Sequence, residues 1–94
     1  MKKYELLYII STNANETQRE AIIEKFKKFI EDRKGIISGI DKWGIKKLAY
    51  PIKFKNEGFY VLMNFEAEPS VIKEMDSAMN ITENVVRKMF VAKE

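Results

Sequence analysis

The sequence predicts one α+β domain whose elements run strand, helix, strand, strand, helix, strand. Three observations carry this reading. A short aromatic and branched run opens the chain at residues 3–10 (KYELLYII), two later stretches place apolar residues at helical spacing, and residues 59–67 alternate strictly as a half-buried strand does. Ninety-four residues make a single domain over residues 1–94, large enough to bury roughly two thirds of its unfolded surface.

Each element has a local reason. In the first strand both faces are largely apolar, as expected at the centre of a sheet, and the polar cluster STNAN ends it. Asn15 and Gln18 form a capping-box pattern, with Glu16 and Glu20 suited to the positive end of a helix. Ile22, Ile23, Phe26, Phe29 and Ile30 then recur on one side and Glu24, Lys25, Lys27, Lys28 and Glu31 on the other, until Gly35 offers a left-handed C-terminal position. Residues 36–52 are long for one strand and change register, because Ile37 is odd-numbered while Leu48, Tyr50 and Ile52 are even. A bulge at Gly44 reconciles them.

Pro51 puts the end of that strand at an edge or turn, and KNEG (55–58) reads as the hairpin connection. In the next strand Phe59, Val61, Met63, Phe65 and Ala67 should face the core, and Tyr60, Leu62, Asn64 and Glu66 the other side. Pro69 and Ser70 start a second helix with Val71, Ile72, Met75 and Met79 on its apolar stripe. Residues 85–92 close the chain as a strand. This order is the ferredoxin-like βαββαβ arrangement, a four-stranded antiparallel sheet with two helices on one face. Right-handed crossovers put the first and third strands in the centre and the second and fourth at the edges.

Composition narrows the chemistry. The chain has no cysteine and no histidine, which removes disulfides, thiolate and imidazole metal ligands, and the commonest neutral-pH general base. No metal site and no cofactor are expected. The carboxylates Asp41, Glu57, Glu66, Glu68 and Asp76 are scattered without an acid–base pair, and the four glycines are isolated rather than gathered in a phosphate loop. An acylphosphatase-like enzyme would need an arginine-bearing anion loop after the first strand, and STNANET offers none. The opening strand is too short, and too interrupted by Glu5, for a signal peptide or a membrane span. A soluble, cytoplasmic, non-enzymatic protein is the expectation.

The balance of 17 basic against 14 acidic residues is a modest +3, so a nucleic-acid argument rests on where the cations lie. Lys42, Lys46, Lys47, Lys53 and Lys55 form the largest local excess, interleaved with Trp43 and Tyr50. One reading is a phosphate-contacting stripe with aromatics that pack on sugars or bases; the other is an edge strand using lysines against aggregation. Alternation sends Lys46 and Lys47 to opposite faces. A second basic group joins Lys2 and Lys3 to Arg87, Lys88 and Lys93 on the neighbouring last strand, with Arg87 capable of bidentate phosphate contact. Five phosphate contacts would give a salt slope of roughly −4. The segment GFYVLMNF invites comparison with the RNA-recognition motif, but its stacking positions would be Phe59 and Val61, on the core side.

The stretch GIKKLAYPIK resembles the signature of bacterial small-subunit ribosomal protein S-six. Gly44, Lys46, Lys47, Leu48, Ala49, Tyr50, Pro51, Ile52 and Lys53 fill its slots, and the likeness extends to Tyr4 and Glu5, Asp41 and Trp43, and Val85, Arg87 and Met89. The resemblance implies a ferredoxin-like fold and a structural ribosomal role, binding the central domain of 16S rRNA together with ribosomal protein S-eighteen as a heterodimer. It implies Arg87, Lys2 and Lys3 as RNA contacts ahead of Lys46 and Lys47; Lys88 of the second basic group is a further candidate RNA contact, and Trp43 and Tyr50 are the candidate contacts to the protein partner. A monomer when isolated, located at the ribosome and not at a membrane, is expected. The rival is a ferredoxin-like regulatory or ligand-binding domain that self-associates through its open sheet.

Overall fold

The computed structural model describes the backbone of residues 1–52 and 55–93, and the side chains of these except 48–52 and 55–56. Expectations for the side chains of Leu48, Tyr50, Ile52, Lys53 and Lys55 therefore lie outside the described residues. The elements are β1 (Lys2–Ser11), α1 (Glu16–Asp32), β2 (Ile36–Ile52), β3 (Lys55–Ala67), α2 (Pro69–Asn80) and β4 (Val85–Lys93). The sheet order is β2-β3-β1-β4 with every neighbouring pair antiparallel. The expected fold class and strand order are both observed.

The core lies between the helices and one face of the sheet. From β1 come Tyr4, Leu6, Tyr8 and Ile10, from β3 Val61, Met63, Phe65 and Ala67, from α1 Ile22, Ile23, Phe26 and Ile30, and from α2 Val71, Met75 and Met79. Period two on the strands meets helical spacing on the helices, so one alternate set of each central strand is removed from water. Each fully buried Leu, Ile, Met or Phe contributes about 1.5–3 kcal/mol of transfer free energy. Tyr8 is packed edge-on to Phe26 with ring centroids 5.4 Å apart. Its hydroxyl meets no hydrogen-bonding group of the described residues, and burial first, then the nearby Glu20 carboxylate, holds its pKa well above that of an ordinary tyrosine.

Three local features refine the sequence reading. At the start of α1 the capping box is complete: the Gln18 backbone N–H donates to Asn15 Oδ1 and the Asn15 N–H to Gln18 Oε1, both at 2.8 Å. At its end the left-handed residue is Lys34 (φ 66°), not Gly35. The Lys34 N–H donates to Glu31 O and the Gly35 N–H to Ile30 O, which is the Schellman pattern with the lysine in the position glycine usually takes. Gly35 is needed for closeness instead, because a Cβ there would lie 2.5 Å from Ile30 Cγ2 and 2.9 Å from Glu66 O.

KNEG is not the hairpin connection. β3 already begins at Lys55, and the ladder runs on through Lys46 opposite Gly58, Lys47 opposite Glu57 and Ile52 opposite Lys55. Those residues continue the strand because their backbone groups still have partners on β2. The bulge at Gly44 is present, with φ 87° and a register shift between Lys42 and Gly44. The Gly44 bulge does not reconcile the alternation alone: further shifts lie between Ile37 and Gly39 and between Lys47 and Ile52. The helix-side ladder positions of β2 therefore pass from odd (Ile37) to even (Ile40, Lys42), back to odd (Ile45, Lys47), and to even again at Ile52 opposite Lys55.

Candidate nucleic-acid and partner interface

The helices leave one sheet face uncovered, and residues opposite each other in an antiparallel ladder share a face. Four rows cross it. At one end lie Lys93, Lys3, Glu66 and Ile36; next come Val91, Glu5, Asn64 and Gly39; then Met89, Leu7, Leu62 and Asp41; then Arg87, Ile9, Tyr60 and Gly44. Beyond the last row, Lys46 stands opposite Gly58 on the same face. Apolar side chains predominate in the middle of the face, with Glu5, Asn64 and Asp41 among them, and the cations stand toward its ends.

The bulge shapes the β2 side of this surface. With Gly44 taking the positive φ, Trp43 comes to stack on Tyr60, ring centroids 6.3 Å apart and planes 9° from parallel. The Lys46 ammonium lies 6.0 Å from the Trp43 ring centroid, within cation–π range. Trp43 remains 45 % exposed, Met89 56 % and Val91 42 %, whereas Ile9 beneath them is buried. Exposed apolar side chains gathered on one face mark a contact surface.

The six cations named from the sequence divide between the two faces. Lys3, Arg87 and Lys46 belong to the open face. Lys2 pairs across the ladder with Ala67, and Lys47 with Glu57, on the helix side. Lys88 is also on the helix side, where its ammonium lies 3.2 Å from Asp76 and donates to Asn80 Oδ1. Lys93 is on the open face but its charge is shared with Glu5 at 3.1 Å and Asn64 at 3.3 Å. The group formed by Lys2, Lys3, Arg87, Lys88 and Lys93 is thus not one cluster. Lys3 is opposite Lys93, while Arg87 is opposite Ile9, six residues along β1 and about 20 Å away at the usual strand rise.

Met89, Val91, Leu7 and Leu62 belong to this face and were not singled out from the sequence as a surface. Their signal was the even set of β3 and the two apolar faces of β1, since a strand with helices on only one side has no intramolecular use for both. Among the described residues no group of carboxylates could hold a metal ion, and no helix is long and apolar enough to cross a membrane.

Comparison with known proteins gives a consistent result. Residues 3–92 match the family described as ribosomal protein S6. The chain is 48 % identical over 91 residues to small ribosomal subunit protein bS6 of Clostridioides difficile, covering 97 % of this chain and 98 % of that one. It is 45 % identical over 91 residues to the bS6 protein of Caldanaerobacter subterraneus subsp. tengcongensis, covering 97 % and 96 %. The crystal structure of 30S ribosomal protein S6 from Thermotoga maritima superposes with a TM-score of 0.92 at 33 % identity, over 98 % of this chain and 87 % of that one. With a full-length family match, close relatives and the same βαββαβ architecture, the chain belongs to the ribosomal protein S6 family of non-enzymatic, structural small-subunit proteins.

Proposed function

We propose that this protein holds the central domain of 16S rRNA in the small ribosomal subunit together with ribosomal protein S-eighteen, using the open sheet face and its rim. The observation that carries the reading is that one face combines an exposed apolar centre with cations toward its ends. RNA phosphates suit Arg87, Lys3 and Lys46, with Lys47 reached by a strand that wraps the β2 edge and Lys2 by one that passes the end of β1. Lys88 is the weaker contact of the six, because reaching RNA costs it the Asp76 pair. The apolar centre, with Trp43 stacked on Tyr60, suits a protein partner, since aromatic anchors dominate such contacts. Tyr50 belongs to the same proposal as the second aromatic of the lysine-rich stretch that holds Trp43.

Three phosphate contacts give a salt slope of roughly −3 on duplex-like RNA, which is weak binding unless a partner shares the work. The isolated chain is accordingly a monomer that gains RNA affinity when the second protein is added. The test is filter binding to the 16S central domain with that protein present. Arg87→Glu should weaken assembly at least tenfold and Lys28→Glu, on the outer face of α1, should leave it within twofold. Equal effects of the two would refute the assignment. A homodimer in sedimentation without RNA would favour the self-associating alternative.

A further inference from the structure

At one end of the sheet, away from Lys3 and Lys93, the β1–α1 loop and the turn between α2 and β4 enclose a cleft of about 450 Å³, in the size range of small-ligand sites. Asn13 and Ser11 line one wall, Asn80, Thr82 and Asn84 the other. The two walls are tied together by the Ser11 N–H donating to Asn84 O at 2.7 Å. Asn84 has a positive φ of 74°, and Ile81 projects from the same turn 86 % exposed.

The chemistry of this lining is selective. Side-chain amides carry a donor and an acceptor on one planar group, the complement of a nucleobase edge. The Asn80 acceptor is already taken by the Lys88 ammonium, which leaves Asn13 and Asn84 to offer both a donor and an acceptor. No lysine or arginine is among the lining residues, and Glu83 at the wall disfavours a phosphate inside. A second, smaller hollow shares Asn80, Val85 and Val86 and adds Arg87 and Lys88. A base-sized polar slot beside cationic residues matches how single-stranded RNA is read: base splayed out, phosphate outside.

We propose that the cleft between Asn13 and Asn84 receives one unstacked nucleobase of the bound RNA, its phosphate lying toward Arg87. This rests on the RNA-binding reading above, and the test separates the two. The full chain, the partner protein and the 16S central domain are assembled, and Watson–Crick edges of the RNA are probed chemically. The variants are Asn13→Ala with Asn84→Gly, where glycine keeps the positive φ, and separately Arg87→Glu.

The expected result is that one nucleotide protected by the wild type becomes reactive with the double variant while the other protections remain. Affinity should fall about tenfold, the scale of one lost bidentate base contact, with the salt slope unchanged because no phosphate contact is removed. Unchanged reactivity and affinity in the double variant, with Arg87→Glu still weakening assembly, overturns the base site and leaves RNA binding standing. Uniform loss of every protection in a double variant that still melts like the wild type also overturns it. Absence of any protection by the wild-type chain overturns both readings.

Discussion

Replacing Tyr8 by phenylalanine isolates one oxygen in the middle of the core. The ring is fully buried and packed on Phe26, so the substitution keeps the shape and deletes a hydroxyl that meets no hydrogen-bonding group of the described residues. Leaving such a group unsatisfied costs about 1–3 kcal/mol, and losing the contacts of one oxygen returns a few tenths of that. Tyr8→Phe should therefore stabilise the protein by about 1 kcal/mol, raising the melting temperature by roughly 4–8 °C. Urea unfolding followed at the single tryptophan measures it. The pH dependence gives a second reading. Because the folded state holds the Tyr8 pKa above its unfolded value of about 10, the unfolded chain loses this proton first as pH rises. The contribution of Tyr8 is fully present below pH ~10 and declines above it, by up to about 1.4 kcal/mol per pH unit until the folded pKa is reached. The phenylalanine variant lacks that decline, so the stability gap between the two proteins should widen through this window. A variant that is less stable than wild type by 1 kcal/mol or more would refute the reasoning, and would place an ordered water or a backbone acceptor at the hydroxyl.

Two further substitutions test the backbone reading. Gly35→Ala forces a Cβ to within 2.9 Å of the Glu66 carbonyl and 2.5 Å of Ile30 Cγ2, so a loss of about 1–3 kcal/mol in chemical denaturation is expected. Gly44→Ala meets no atom within 4 Å but keeps a φ of 87°, so its cost is the left-handed backbone alone, about 1–2 kcal/mol. Its emission spectrum should also shift, because relaxing the bulge moves Trp43 off Tyr60; an unchanged spectrum would mean that the stack does not depend on Gly44.

The contrast between these glycines shows what could be read without coordinates. Both invite the inference of a positive φ, yet only Gly44 has one, and at the end of α1 the left-handed position falls to Lys34. A glycine required for conformational freedom and one required for close approach look identical in a sequence; what separates them here is Glu66, thirty-one positions away. The strand and helix faces were legible because one period decides each: Val61, Met63, Phe65 and Ala67 are all buried as alternation requires. The hairpin was misplaced because KNEG has turn composition, while its pairing with β2 is a property of the ladder.

The cations show the same division between local and distant information. Alternation separates Lys46 from Lys47, and the ladder puts them on opposite faces through Gly58 and Glu57. It equally separates Arg87 from Lys88, but Lys88 acquires its partners Asp76 and Asn80 only when α2 packs beside β4. A lysine held by a carboxylate and an amide has given up part of its capacity to bind phosphate, whereas one opposite a glycine on an open face has not. Charge counted along the chain therefore overstates the RNA-facing surface. Of the six residues in the pairs Lys2–Lys3, Lys46–Lys47 and Arg87–Lys88, three lie on the helix side, at Lys2, Lys47 and Lys88, which halves what those pairs can offer the open face. The apolar side chains between the remaining cations supply the complementary argument: a face with so little net positive charge and so much exposed carbon suits shared binding, with protein covering its middle and RNA meeting its ends.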